Sequence, residues 1–324
     1  MAGARPFRFI ANVPTNTQPV DAWKEQVRRI EAAGFTTVAI ADHFTGGYTL
    51  EPVVALTAAA MCTTTLRIQT AVLGNDYRHP VLVHRTAATH DVLAEGRLDL
   101  GVGAGWLAAE YEAAGLPFDR PGLRIDRLEE TIAILKGLFR NEPFSFAGHT
   151  YRVTDLVGVP RTVQMPHPPL MIGGGGRRVL RLAGREADIA GINANLGAGV
   201  GAGSITDVSA TGILEKVSWV REGAAAAGRD PIGIELSMAQ WLLHVTSSQR
   251  DARSTLERVA ARTGLDPRWL EAAPGVLVGS VVRCIEKLHE LRYHFGISYV
   301  QLDAGPRSTD SIDAVAPIVA SLAG

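Results

Sequence analysis

Cysteine is scarce: only Cys62 and Cys284 occur in the 324 residues, and neither stands in a metal-binding spacing. That excludes a disulfide framework. Two thiols expected to be buried in helices fit a reducing compartment. Excess charge is also missing. The formal net charge is -1 and the pI about 6.8, so a general nucleic-acid surface is not expected. No apolar run is long enough to span a bilayer. Met1 to Ile10 lack the long apolar core of a secretion signal. These absences lead to the expectation of a cytoplasmic protein that neither crosses a membrane nor binds nucleic acid. The dinucleotide fingerprint Gly-x-Gly-x-x-Gly is absent too, because its last position falls on Arg178.

What is present is apolar and glycine-rich: 46% of residues are apolar, enough for a sizeable core, and 34 are glycine. Gly173, Gly174, Gly175 and Gly176 stand together. Before them lies the apolar run Leu170, Met171 and Ile172. After them Val179, Leu180, Leu182 and Ala183 alternate with Arg177, Arg178, Arg181 and Arg185. The order predicts a buried strand, a tight turn and a helix. Glycine lets the backbone approach a ligand closely. The first helical turn offers N–H groups at the positive end of its dipole. Arg177 and Arg178 add planar cations suited to phosphate oxygens. The expectation is a phosphate grip at Gly174, Gly175, Gly176, Arg177 and Arg178; the plainer alternative is a turn with a solvated basic helix.

Along the chain, short apolar runs alternate with helical patterns. Strands are expected at residues 7–11, 37–41, 66–73, 98–102, 170–172, 188–192, 232–237 and 298–302, with 241–245 continuing the seventh. Asp21 is placed as the cap of the first helix. Residues 144–153 are expected to form a hairpin turning near Gly148, inside a long irregular stretch at 141–167. Residues 193–204 are rich in glycine and poor in packing side chains, as lids and binding loops are. Eight strand–helix units predict a parallel (β/α)8 TIM barrel, a single domain over residues 1–324 with insertions after strands four, six and seven. An open doubly wound sheet is the alternative.

A barrel of this kind places its chemistry at the C-terminal ends of the strands. Asp42, His43, residues 70–75 and 103–106, the glycine turn, the loop at 193 and Asp303 all fall there. His43 is the proton-handling candidate, since an imidazole titrates near neutrality. Asp42 either orients His43, accepts from a cofactor, or is a buried carboxylate with a structural donor. Trp106 offers a flat apolar wall to a substrate pocket or to the core. His79, before Pro80, is either a ligand group or a helix-start residue. Trp241 and His244 are further groups near a strand end.

Five stretches, in order, resemble the bacterial-luciferase-like (LLM class) superfamily of flavin- and deazaflavin-dependent barrels. They are Gly34-Phe-Thr-Thr-Val-Ala-Ile-Ala-Asp-His-Phe44, Leu66-Arg-Ile-Gln-Thr-Ala-Val-Leu-Gly74, Arg97-Leu-Asp-Leu-Gly-Val-Gly-Ala-Gly-Trp106, Pro169-Leu-Met-Ile-Gly-Gly-Gly-Gly176 and Ala183-Gly-Arg-Glu-Ala-Asp188. The resemblance implies an oxidoreductase of the branch that uses coenzyme F420, moving a hydride between the deazaflavin and an organic substrate. An FMN-dependent monooxygenase, fed reduced flavin by a separate reductase, is the alternative. The resemblance also implies roles. Asp42 and His43 lie beside the deazaflavin ring. Thr70, Ala71 and Val72 form a bulge behind the ring, with a cis peptide at Ala71–Val72. Gly103, Ala104 and Gly105 approach the ring and the ribityl chain. Gly175, Gly176, Arg177 and Arg178 hold the phosphate. In the glucose-6-phosphate dehydrogenases of this branch a glutamate proton donor follows the Gly-x-Gly. Here Trp106 takes that place and Glu110 lies one helical turn on, so sugar-phosphate oxidation through that acid is not expected. Arg177, Arg178 and Arg181 suit the phosphodiester and acidic tail of coenzyme F420, whereas the one phosphate of FMN needs fewer cations. By the same analogy the chain is expected to form a homodimer and to act on a small molecule. The loops after Phe44, at 141–167 and at 193–204 would choose that molecule.

Overall fold

The computed structural model describes residues 5–14, 19–45, 49–196, 202–302 and 310–322. Its strands are β1 (Arg8–Asn12), β2 (Thr37–Ile40), β3 (Arg67–Thr70), β4 (Leu73–Gly74), β5 (Leu98–Gly103), β6 (Pro143–Ala147), β7 (Arg152–Val157), β8 (Leu170–Gly174), β9 (Ile189–Ile192), β10 (Glu235–Ala239), β11 (Leu242–Val245), β12 (Val276–Gly279) and β13 (Ile297–Gln301). The helices are α1 (Val20–Ala32), α2 (Pro52–Met61), α3 (Pro80–Leu93), α4 (Ala108–Ala113), α5 (Pro121–Leu138), α6 (Arg177–Glu186), α7 (Ala202–Thr206), α8 (Ala210–Ala226), α9 (Gln249–Thr263), α10 (Pro267–Ala272), α11 (Val281–Phe295) and α12 (Asp310–Leu322).

Eight strands close a parallel barrel in the order β1, β2, β3, β5, β8, β9, β10, β13, and β13 returns to β1. This is the (β/α)8 TIM barrel that the alternation predicts. β2 shows why: Thr-Val-Ala-Ile is buried at all four positions, as a strand covered on both faces must be. Helix starts are marked by side chains. Ser209, Ser248 and Ser280 cap α8, α9 and α11 by accepting from the N–H groups of Gly212, Asp251 and Arg283.

The barrel interior is layered. At the N-terminal end it is polar: the buried Asp99 accepts from Arg8 (2.8 Å), Arg67 (2.6 Å) and the Tyr299 hydroxyl (3.0 Å). Arg8 also donates to Glu235 at 2.6 Å. Above this plug an apolar layer of Ile10, Ala39, Met171 and Ile189 fills the barrel, with Ala71 and Val72 against it.

The insertions fall after the fourth, sixth and seventh barrel strands. After β5, the antiparallel hairpin β6–β7 forms around Gly148 as expected. After β9 come the loop and α7, so the end of the glycine-rich segment at 193–204 is helical; residues 197–201 lie outside the described residues. After β10 the expectation fails. Residues 242–245 do not continue the seventh barrel strand; they pair in parallel with β12 as a separate two-stranded sheet. An apolar run fixes burial but not its partner, and Leu242, Val276 and Val278 face a small core with Leu256, Val259 and Leu270. Three smaller corrections follow. The third strand breaks into β3 and β4 at a bulge. α1 is entered from Pro19, with Asp21 inside its first turn instead of capping it. Cys62 is half-buried at the end of α2, whereas Cys284 is buried. Among the described residues no helix is long and apolar enough to cross a membrane.

Candidate active site

β2 ends directly before Asp42 and His43, and these two side chains take different partners. His43 Nδ1 lies 2.9 Å from Glu110 Oε2. Glu110, on α4, is 0% exposed. Its other oxygen accepts from the Phe44 N–H (3.0 Å), the Thr45 N–H (3.0 Å) and the Thr45 hydroxyl (2.8 Å). Burial raises the pKa of this carboxyl, but the bonds from His43 and Thr45 outweigh it and hold it below its ordinary range. An ionised Glu110 only accepts, so Nδ1 carries the proton, and Nε2 is the basic nitrogen of the neutral ring. Trp106 stands edge-on to His43 with ring centroids 5.8 Å apart.

Asp42 accepts from the Gly74 N–H at 3.0 Å and from the Arg78 guanidinium, which reaches both carboxylate oxygens. Arg78 also binds Glu51 at 2.9 Å. Burial opposes the charge of Arg78, and the two carboxylates more than offset this, raising its pKa. In these contacts Asp42 is a buried carboxylate supplied with donors by Gly74 and Arg78, while the partner of His43 Nδ1 is Glu110.

Next to this pair the Ala71–Val72 peptide is cis, as the resemblance implies. Thr70 fills the ladder gap that the bulge leaves: its hydroxyl donates to the Gly101 carbonyl (2.9 Å) and accepts from the Gly101 N–H (2.8 Å). Val72 turns into the barrel mouth and sits on glycine. A Cβ on Gly103 would lie 2.6 Å from Val72, one on Gly101 2.9 Å, and one on Gly173 3.4 Å. The neighbouring Ala104 and Gly105 carbonyls are both held by the Arg124 guanidinium of α5. Asp42, Thr70, Ala71, Val72, Gly103, Ala104, Gly105 and Trp106 thus share one end of the adjacent strands β2, β3 and β5.

The glycine turn follows β8, the next strand round. Gly174 closes the strand. Gly175 is needed for close approach, because a Cβ there would run into the backbone of Ala194 and Asn195. Gly176 caps α6 without a side-chain cap, and among the described residues a Cβ on Gly176 would meet nothing within 4 Å. The arginine side chains behave differently from their backbone. Arg177, 61% exposed, pairs with Glu222 at 3.0 Å. Arg178 binds Glu129 (3.1 Å), Asp126 and the Gly122 carbonyl (3.0 Å). The turn itself offers backbone N–H groups, while both guanidinium groups are engaged by carboxylates of α5 and α8.

Three other expectations have plain outcomes. His79 caps α3, accepting from the Val81 N–H at 3.3 Å. Trp241 packs against Gly275, and His244 lies 2.8 Å from Asp251 on the added sheet. Asp303 lies outside the described residues. Among the described residues no group of three or more His, Cys, Asp or Glu is placed to hold a metal ion. Sequence reasoning missed the Glu110–His43 pair, Arg78, Arg124 and Lys216. Only Lys216 carries a local signal: it sits on the same helical stripe as Ile213, Val217 and Val220, so its position is apolar by period.

The chain has known counterparts. A family described as luciferase-like monooxygenase matches residues 6–297. The FMNH(2)-dependent dimethylsulfone monooxygenase of Pseudomonas putida is 28% identical over 247 residues, covering 75% of this chain and 63% of that enzyme, less than two thirds of its length. The F420-dependent glucose-6-phosphate dehydrogenase of Amycolatopsis mediterranei is 28% identical over 273 residues, covering 77% of this chain and 80% of that enzyme. Among solved structures, an F420-dependent secondary alcohol dehydrogenase in complex with an F420-acetone adduct has a TM-score of 0.79 at 18% identity, covering 98% of this chain and 99% of that one. That last likeness speaks for the fold alone.

Proposed function

We propose, because this chain belongs to the luciferase-like monooxygenase family, that it is an oxidoreductase using coenzyme F420 to transfer a hydride to or from a small organic molecule. The observation that carries the reading is His43 held through Nδ1 by the buried Glu110, beside Trp106, at the end of β2. Relatives in this family use either F420 or FMN, as their names state.

The residues fit a flat ring with a phosphate end. Among the described residues, a Cβ on Gly176 would meet no atom within 4 Å, and α6 starts there without a side-chain cap. Gly174, Gly175, Gly176, and the backbone of Arg177 and Arg178 would hold the phosphate. Ala71, Val72 and Gly103 would lie against the ring, with Val72 braced by its glycine seat. When bound, the deazaflavin supplies or accepts the hydride. His43 exchanges the matching proton at Nε2, and Glu110 stabilises the imidazolium that results. Trp106 bounds the substrate and excludes water. With Trp106 after Gly105 and Glu110 committed to His43 and Thr45, no acid of this loop serves as a second proton donor.

Arg177, Arg178 and Arg181 at one helix start support F420, whose far end is strongly acidic. One observation favours a second reading, an FMN-dependent monooxygenase with a separate reductase: Arg177 and Arg178 already pair with Glu222, Asp126 and Glu129, which leaves a backbone grip sized for one phosphate. Titrating the purified chain with F420 and with FMN, followed by fluorescence, tests the choice. Tight F420 binding is expected; tight FMN binding with no F420 binding would overturn it in favour of the second reading. A homodimer belongs to the same proposal, supported by Val54 and Met61 on α2 and Leu82 on α3, which expose apolar side chains.

A further inference from the structure

We propose that Lys216 is a positioning residue that aims the phosphate-binding turn, an inference that rests on the reading of the α6 start as a phosphate site. Lys216 lies on α8 and its side chain is 1% exposed. A lysine so buried needs partners. Its ammonium donates to the Gly175 carbonyl at 2.6 Å and to Asp207 at 2.8 Å. Asp207 also accepts from the Asn195 N–H at 2.6 Å. Since Gly175 lies against the backbone of Ala194 and Asn195, one lysine ties together the turn after β8, the loop after β9 and the start of α8.

The consequence is directional. The peptide joining Gly175 and Gly176 is trans, so its carbonyl and its N–H point opposite ways. By taking the Gly175 carbonyl inward, Lys216 turns the Gly176 N–H outward. Among the described residues, no atom lies within 4 Å of a Cβ built on Gly176. Asp207 balances the ammonium charge, so Lys216 acts chiefly by fixing this peptide and less by adding potential. A peptide free to flip would present its carbonyl oxygen to the phosphate, which repels it.

The test uses the full chain and ligand pairs with and without the phosphate end: FMN against riboflavin, which differ only in phosphate, and F420 against its chromophore, which lacks the phosphodiester together with the acidic tail beyond it. For whichever pair the wild type binds, K216M is expected to weaken the phosphate-bearing form by roughly ten-fold or more, the loss of one charge-assisted hydrogen bond's worth of alignment. The phosphate-free form should change by less than about two-fold. An equal loss for both forms, or no loss for either, overturns the proposal, because a merely structural lysine would not separate them. If K216M does not fold, K216R, which keeps the charge but moves the donor, is read by the same ratio. A wild type that binds neither F420 nor FMN overturns the phosphate reading itself, a result distinct from failure of the lysine.

Discussion

The two ends of the barrel use the same chemistry for different ends. At the N-terminal end, Arg8, Arg67, Asp99, Glu235 and Tyr299 satisfy one another inside the strands. Every donor and acceptor comes from a barrel strand, and the result is a plug. At the C-terminal end, Arg78 holds Asp42, Glu110 holds His43, and Arg124 holds the loop at 103–106. Here one partner of each pair comes from a loop or an outer helix. Buried ion pairs add little net stability over apolar packing, but removing one member is costly. The plug therefore locks a closed cylinder, whereas the upper pairs fix where loop residues point. The aim of loop residues at that end uses the same kind of bonds that closure uses at the other.

Four substitutions probe that contrast. His43→Gln should lower turnover by roughly 10²–10⁴-fold while leaving the melting temperature close to wild type, since it removes the basic Nε2 without disturbing the plug. Turnover within a few-fold of wild type would mean that His43 does not handle the proton. Asp99→Leu should do the reverse: it removes the acceptor shared by Arg8, Arg67 and the Tyr299 hydroxyl, and denaturant unfolding should show a loss of about 3–5 kcal/mol. A loss under about 1 kcal/mol would show that the plug is dispensable and the contrast false.

Glu110→Gln lies between the two. The carboxyl of Glu110 is held below its free value of 4.5, so its contribution to stability is full above that value and is lost as the pH falls through the lower folded value. In the Gln variant, stability near neutral pH should drop by roughly 1–3 kcal/mol, and the acid limb of the stability profile should flatten. An unchanged acid limb would show that the pair does not couple to folding. Arg177→Ala should have the smallest effect. The side chain is 61% exposed and its partner Glu222 is on the surface, so unfolding should shift by less than about 1 kcal/mol and cofactor affinity by only a few-fold. A much larger affinity loss would return the guanidinium to the phosphate grip and strengthen the F420 reading.

How much of this was legible depended on whether the signal was local. The stretch Thr37 to Ile40 announces a strand buried on both faces, and its burial follows. The hairpin at Gly148 and the strand, turn and helix around the four glycines are equally local. The Ala71–Val72 cis bond was legible only through resemblance, because no rule of composition selects that peptide. Residues 242–245 were assigned to the wrong sheet, since their period sets a face and not a neighbour. His43 and Glu110 stand 67 positions apart and Asp42 and Arg78 36, so the adjacent Asp42 looked like the natural partner of His43 until the fold brought Glu110 in. Lys216 could have been found: a charged residue on an apolar helical stripe calls for a buried acceptor.

The sheet of β11 and β12 has a wider bearing. Leu243, Val245 and Leu277 lie on the main core, while Leu242, Val276 and Val278 lie on a private one built with α9 and α10. Such a lobe hangs on the scaffold by one face and keeps its own interior on the other. Substitutions facing that private interior can be absorbed within the lobe, without asking the eight-strand cylinder to repack.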